Sequence, residues 1–300
     1  MKLGCAVSNV KNVMPMAKSV YSVFRQRLEE VYEPREARAI ALMVFDERFG
    51  LSTTDIYAGK DEQLGDGERQ ELERLLARLL RHEPVQYVLG TATFGPHTFH
   101  VAPGVLIPRP ETYELCQWVT DEESGRGKVE EQFNILDIGT GSGCIACTLA
   151  AAMPQARVTA WDISEEALRI AAENARCTGA DVAFSRVDIL SDDRPTNTCF
   201  DIIISNPPYI CQQEQGAMEA RVLNHEPHLA LFVPDDDALL FYRAIAVYGQ
   251  TGLKAGGWLY FEINPLYADD LLRMLGAMAY HHIKIRKDQY GKQRMVRAQR

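Results

Sequence analysis

Phe133-Asn134-Ile135-Leu136-Asp137-Ile138 is an apolar run of strand length, and Gly139-Thr140-Gly141-Ser142-Gly143 follows it directly. Residues 138–156 carry no charge, but three glycines at the start and Pro154 near the end favour a loop and a buried helix over a membrane span. A strand that turns through glycines into a helix lets the backbone bend sharply and approach a ligand, so a nucleotide-like ligand is expected there. The spacing is G-x-G-x-G. Cys144 occupies the place where the dinucleotide fingerprint needs its third glycine, which argues against a dehydrogenase. No lysine followed by Ser or Thr closes the loop, which argues against a phosphate-binding P-loop.

Outward from this junction, further apolar runs at residues 158–161, 182–187, 201–205 and 258–263 alternate with helical patterns. The class is therefore α/β with a mainly parallel sheet, and residues 283–286 and 294–298 add an antiparallel pair at an edge. Before the sheet, the pattern is helical. Val20, Tyr21, Phe24, Leu28 and Val31 share one face; Pro34 opens a second helix with Ala37, Ile40, Ala41, Val44 and Phe45, ended by Gly50. A short third helix is expected at residues 52–56. Asp66 is placed as the cap of a fourth, with Leu72, Leu75, Leu76, Leu79 and Leu80 as its stripe and Pro84 as its stop. The predicted organisation is a helical unit at residues 1–84, a hairpin linker at 85–107 with strand-like runs around Gly95-Pro96, and an α/β domain at 108–300.

The ends of the predicted strands carry the chemistry. Asp162 follows the second strand and can accept from both hydroxyls of a ribose, in competition with a role as cap of the helix that starts at Glu165. Asp188 follows the third and can accept from an adenine amino group, with Ile189 and Leu190 giving apolar contact. Asn206-Pro207-Pro208-Tyr209 follows the fourth. Two adjacent prolines present carbonyl oxygens and no backbone N–H, so this bend is a rigid acceptor surface. Asn206 adds a side-chain carbonyl, and Tyr209 offers a ring to cover a flat group. Together they suit a substrate NH2, whose two N–H bonds would be accepted by Asn206 and the Pro207 carbonyl.

Composition limits the alternatives. A net charge of −9 and a pI near 5.4 argue against a protein that grips long nucleic acid by neutralising phosphates. Seven scattered cysteines suit a reducing cytosol rather than a disulfide scaffold, and Cys144-x-x-Cys147 lacks the second pair or histidine of a zinc site. Leu3-Gly4-Cys5-Ala6 has only two residues before it, too few for the apolar region of a signal peptide. His225-Glu226-Pro227-His228 and Asp235-Asp236-Asp237 read as surface loops, because Pro227 breaks the helix a histidine pair would need. Neither a metal nor a membrane segment is expected.

The glycine loop, Asp162, Asp188 and Asn206-Pro207-Pro208-Tyr209 at these intervals resemble the class I S-adenosylmethionine-dependent methyltransferases. Glu83-Pro84-Val85-Gln86-Tyr87-Val88-Leu89-Gly90, Ile107-Pro108-Arg109-Pro110-Glu111-Thr112 and Glu226-Pro227 resemble, more narrowly, the release-factor glutamine methyltransferases of the HemK/PrmC family. The resemblance implies a Rossmann-like catalytic domain behind a helical N-terminal domain that docks a peptide chain release factor. It also implies methylation of the glutamine side chain in the Gly-Gly-Gln motif of bacterial class I release factors, in the cytoplasm and with no nucleic acid required. Gly139, Thr140, Gly141, Ser142, Gly143, Asp162, Asp188, Ile189 and Asn206 would bind cofactor, while Asn206, Pro207, Pro208 and Tyr209 would hold the glutamine. Catalysis would fall to Asn206, Pro207 and Tyr209. Two positions depart from the family pattern: Tyr113 replaces an acidic residue after Pro-Glu-Thr, and Asn264 replaces the usual glycine after Glu262-Ile263. Arg109 and Glu111 are candidates for the cleft mouth or for ion pairs. The alternatives are a nucleic-acid amino methyltransferase, whose flipped adenine or cytosine would use the same Pro-Pro-aromatic bend, and a docking protein that keeps the fold without turnover.

Overall fold

The computed structural model describes residues 19–123, 133–196 and 199–300. Leu3-Gly4-Cys5-Ala6 and most of the polar stretch after Glu123 lie outside the described residues. The chain divides into two compact units, Met1–Leu89 and Gly90–Arg300.

In the first unit, α1 (Val20–Leu28), α2 (Pro34–Phe49), α3 (Thr53–Tyr57), α4 (Asp66–Leu79) and α5 (Val85–Leu89) pack around Phe24, Leu28, Val44, Phe45, Leu76 and Leu79. Each large side chain removed from water here contributes about 1.5–3 kcal/mol. The ends follow local chemistry: Ser52 and Asp55 form a capping box on α3, and Gly50 closes α2 in the left-handed conformation at φ 65°. At α4 the cap is Gly65 and not Asp66; the Glu68 carboxylate accepts the Gly65 N–H at 2.8 Å, so Asp66 sits in the first turn. The short α5 falls where the sequence suggests the start of a linker. A single turn is too short to show periodicity, and what holds it is Arg78, whose guanidinium donates to the carbonyls of Tyr87 and Val88 and pairs with Glu83.

The second unit opens with a hairpin, β1 (Thr91–Phe94) and β2 (His97–His100), and α6 (Pro110–Glu123). Then come β3 (Phe133–Ile138), α7 (Cys144–Ala152), β4 (Ala156–Asp162), α8 (Glu165–Thr178), β5 (Val182–Arg186) and β6 (Phe200–Ser205). After the short β7 (Ile210–Cys211), α9 (Ala220–His225), α10 (His228–Leu231) and β8 (Phe232–Val233), the chain forms α11 (Leu240–Gly252) and β9 (Leu253–Glu262). It ends with α12 (Ala268–Ala277), β10 (His281–Lys287) and β11 (Gln293–Gln299). Among the described residues, seven strands make one sheet in the order β10-β11-β9-β6-β3-β4-β5, all running the same way except β11, which is antiparallel to both of its neighbours.

Successive side chains of the central strands enter two separate cores. Ile135, Ile202, Ile204 and Tyr260 face one, with Leu115 and Leu149; Leu136, Ile203, Leu259 and Phe261 face the other, with Tyr242 and Ile245. That alternation, apolar on both faces, is what a sheet covered by helices on both sides demands. The hairpin is part of this unit: Phe94 and Phe99 lie in the first core, and Asn174 of α8 both accepts from the His100 N–H at 2.7 Å and donates to its carbonyl at 2.9 Å. The parallel pairing of β7 with β8 is too short to have been seen in the sequence.

Candidate active site

From β3 the chain steps outward through β4 to β5, then returns to place β6 against the other flank of β3. Such a reversal opens a crevice at the carboxyl ends of the strands. Ile138 pairs with Trp161 on one side and Ser205 on the other, and the Ser205 hydroxyl donates to the Ile138 carbonyl at 2.6 Å. The glycine loop and Asn206-Pro207-Pro208-Tyr209, 67 residues apart by that same pair, therefore start side by side. Between them lies a cleft of about 350 Å³ whose walls include Gly139, Gly141, Asp162, Asp188, Ile189, Pro207 and Pro208. Leu106, Val187, Phe241 and Ile245 make much of the remaining wall apolar.

The loop is tied to β4. The Trp161 carbonyl accepts from the N–H groups of Gly139 at 2.8 Å and Thr140 at 3.0 Å. All three glycines have positive φ, but a Cβ on Gly139 or Gly141 would meet nothing within 4 Å, whereas one on Gly143 would lie 3.0 Å from the Ala171 Cβ. The first two glycines serve the turn and the third also serves close packing of α7 on α8. Thr140, Ser142 and Gly143, expected in the cofactor site, are not part of the cleft wall. The Thr140 hydroxyl is spent on the buried Asp137 at 2.6 Å, and the Ser142 carbonyl is spent on Asn174 at 2.8 Å. Burial lifts Asp137 to about 7.

Asp162 does not cap α8, because Ser164 does. Each Asp162 oxygen accepts one backbone N–H instead, from Gly141 and from Ser164, both at 2.9 Å. Each oxygen keeps a second acceptor site. Burial raises its pKa against these hydrogen bonds, so further donors from a ligand would be favoured. Asp188 spends one oxygen on the Leu190 N–H at 2.8 Å, beside the buried Ile189; Leu190 is more exposed. A half-buried carboxylate for a diol, a second for an amino group and apolar walls between them fit an adenosine group.

Asn206, expected in the cofactor site, is not part of the cleft wall, which its neighbours Ser205, Pro207 and Pro208 line; its amide nitrogen lies 3.2 Å from the Thr112 hydroxyl oxygen, and that hydroxyl donates to Glu262 at 2.5 Å. Tyr209, expected as a cover for the substrate, is anchored inward: its hydroxyl donates to the other Glu262 oxygen at 3.0 Å. Burial pushes the Tyr209 hydroxyl up, and raises Glu262 despite the two donors. Elsewhere, burial holds Cys144 and Cys147 up at about 12, so both remain thiols. Among the described residues no three His, Cys, Asp or Glu side chains converge as metal ligands, and no helix is long and apolar enough to cross a membrane.

Residues 20–90 match the family described as PrmC N-terminal domain, and residues 127–229 match the one described as Methyltransferase small domain. The release factor glutamine methyltransferase of Bacteroides thetaiotaomicron is 46% identical over 94% of this chain and 99% of its own length. That of Flavobacterium psychrophilum is 37% identical over 94% of this chain and 98% of its own. The chain belongs to the release factor glutamine methyltransferase family. Among solved structures, the hMettl16 catalytic domain in complex with the MAT2A 3'UTR hairpin 6 aligns with a TM-score of 0.53 at 14% identity, covering 87% of this chain and 81% of that one. That likeness is one of fold.

Against the release factor glutamine methyltransferase pattern, the two unusual residues have structural partners. The Tyr113 ring fills the space where a Gly95 side chain would be and meets Phe94 edge-on at 5.4 Å, fastening the hairpin turn to α6. Asn264 donates to the Tyr209 carbonyl at 3.1 Å. Arg109 forms an ion pair at 2.5 Å with Glu226, whose other oxygen accepts the Ile107 N–H at 3.1 Å. Glu226 is thus buried and not part of a surface loop. In the sequence Thr112 and Glu262 stand within longer motifs, and nothing in their spacing connects them with Asn206.

Proposed function

We propose that this protein methylates the side-chain amide nitrogen of the glutamine in the Gly-Gly-Gln motif of bacterial class I peptide chain release factors, using S-adenosylmethionine. The observation that carries this reading is the position of the Asn206-Pro207-Pro208 bend, whose prolines carry no N–H, beside a cleft suited to adenosine. Gly139, Gly141, Asp162, Asp188 and Ile189 would hold the cofactor, with Asp162 on the ribose and Asp188 on the base. When bound, S-adenosylmethionine supplies a methyl group on a sulfonium that is its own leaving group.

The chain's task is alignment. An amide nitrogen is a poor nucleophile, so its two N–H bonds must be fixed and the remaining lone pair aimed. The Asn206 side-chain carbonyl and the Pro207 backbone carbonyl accept those bonds, and positive charge growing on the nitrogen strengthens both, so they bind the transition state better than the ground state. Holding the reacting atoms in line removes roughly 7–11 kcal/mol of barrier. The surplus proton leaves after transfer. The helical unit serves to dock the release factor.

Incubation of the purified protein with a class I release factor and isotopically labelled S-adenosylmethionine, followed by mass spectrometry, tests this. One labelled methyl on the motif glutamine is expected. Label on an adenine or cytosine of a nucleic acid control, with none on the release factor, would replace this reading with the nucleic-acid one.

A further inference from the structure

The two ends of an asparagine amide are nearly the same shape but opposite in chemistry: one accepts, the other donates. An Asn206 turned the wrong way would point N–H groups at the substrate NH2 and repel it. We propose that Thr112 and Glu262 are positioning residues that determine which end of the Asn206 amide meets the substrate. This rests on the role given to Asn206 above.

Three segments meet here that are far apart in the chain, with Asn206 lying 94 residues from Thr112 and Thr112 lying 150 from Glu262. Thr112 has one hydroxyl hydrogen, and it goes to Glu262 Oε2 at 2.5 Å. An ionised carboxylate only accepts, and Glu262 Oε1 already takes the Tyr209 hydroxyl at 3.0 Å. The Thr112 oxygen is left with lone pairs alone, so only the NH2 end of Asn206 can face it across the 3.2 Å contact. The carbonyl end is then the one available to a substrate. Were Thr112 to turn its hydrogen to Asn206, Glu262 Oε2 would lose a donor inside the protein, where Thr112 is 3% and Glu262 2% exposed and water does not replace it. Glu262 is itself held at the end of β9, since its backbone carbonyl accepts from the buried Tyr242 hydroxyl at 3.1 Å. The acceptor at the start of this chain is therefore rigid, and its polarity is passed through one hydroxyl to the amide.

Single-turnover methylation of a purified class I release factor tests this with Thr112→Val, Thr112→Ser, Glu262→Gln and Asn206→Ala, and with Thr112→Val and Glu262→Gln each added to Asn206→Ala. Thr112→Val keeps the shape and removes the relay; it is expected to slow transfer roughly 10- to 100-fold with cofactor affinity within about twofold of the parent. Thr112→Ser restores the rate. Adding Thr112→Val to Asn206→Ala slows it no further, because the only route to the substrate is already gone. Glu262→Gln gives the carboxylate a donor end, lets Thr112 turn, and lowers the rate only when Asn206 is present. It carries the test if Thr112→Val does not fold. A parental rate for both Thr112→Val and Glu262→Gln, or an equal slowing of the parent and Asn206→Ala, overturns the proposal while leaving the Asn206 reading intact. A parental rate for Asn206→Ala overturns that reading and this one with it.

Discussion

The Asn264 amide nitrogen lies 3.1 Å from the backbone carbonyl of Tyr209, and also reaches both oxygens of Glu214 at 3.1 and 3.2 Å. Glu214 in turn accepts the Cys211 N–H at 2.8 Å. One buried side chain just beyond β9 thus holds the exit of the Pro-Pro bend at two points, while the bend's own prolines stiffen its entry.

Asn264→Gly removes these bonds and the Asn264 side-chain carbonyl that accepts the Leu266 N–H. The variant should lose about 1–3 kcal/mol of stability and turn over several-fold more slowly. Chemical denaturation and steady-state kinetics read the two effects separately.

Asn206→Ala should lower kcat about 100- to 1000-fold, as removal of a preorganised transition-state partner does elsewhere. Cofactor affinity by calorimetry should barely change.

Asp162→Ala should do the reverse. Two charge-assisted acceptor positions are lost from the cleft, so cofactor Kd should rise roughly 10- to 100-fold. At saturating cofactor, kcat should recover toward the parental value, which separates a binding residue from one that acts on the transferred group.

Burial lifts Asp137 from the ordinary 3.8 to about 7. Between those values the unfolded chain has released this proton and the folded chain retains it, so the contribution of this group to stability falls as pH rises and is fully lost above about 7. Asp137→Asn abolishes that slope. Denaturation at pH 5 and pH 8 should show the decline in stability shrinking by about 2–3 kcal/mol in the variant.

Gly143→Ala combines a left-handed backbone, φ 80°, with a Cβ 3.0 Å from that of Ala171. It should cost about 2–3 kcal/mol, against roughly 1 for Gly139→Ala, where only the backbone term applies. Thermal unfolding of the two variants gives the comparison.

Much of this molecule is written locally. The near-continuous apolar runs at 133–138 and 201–205 specify strands apolar on both faces, the glycine spacing specifies the turn after β3, and Pro207-Pro208 specifies a bend without donors, all within a few residues of chain. Local periodicity records which face is dry, so it also located the helical unit and the antiparallel edge. It does not record which polar side chain meets which. Thr112 on α6 and Glu262 at the end of β9 look like ordinary solvated residues until the fold buries them against Asn206 and Tyr209. Asn174 became the clasp of the hairpin and the glycine loop, and Thr140 turned down onto Asp137, for the same reason. A buried hydrogen bond between distant segments arises only when the chain closes and each polar group must find a partner, and that requirement belongs to the packed interior rather than to any stretch of sequence.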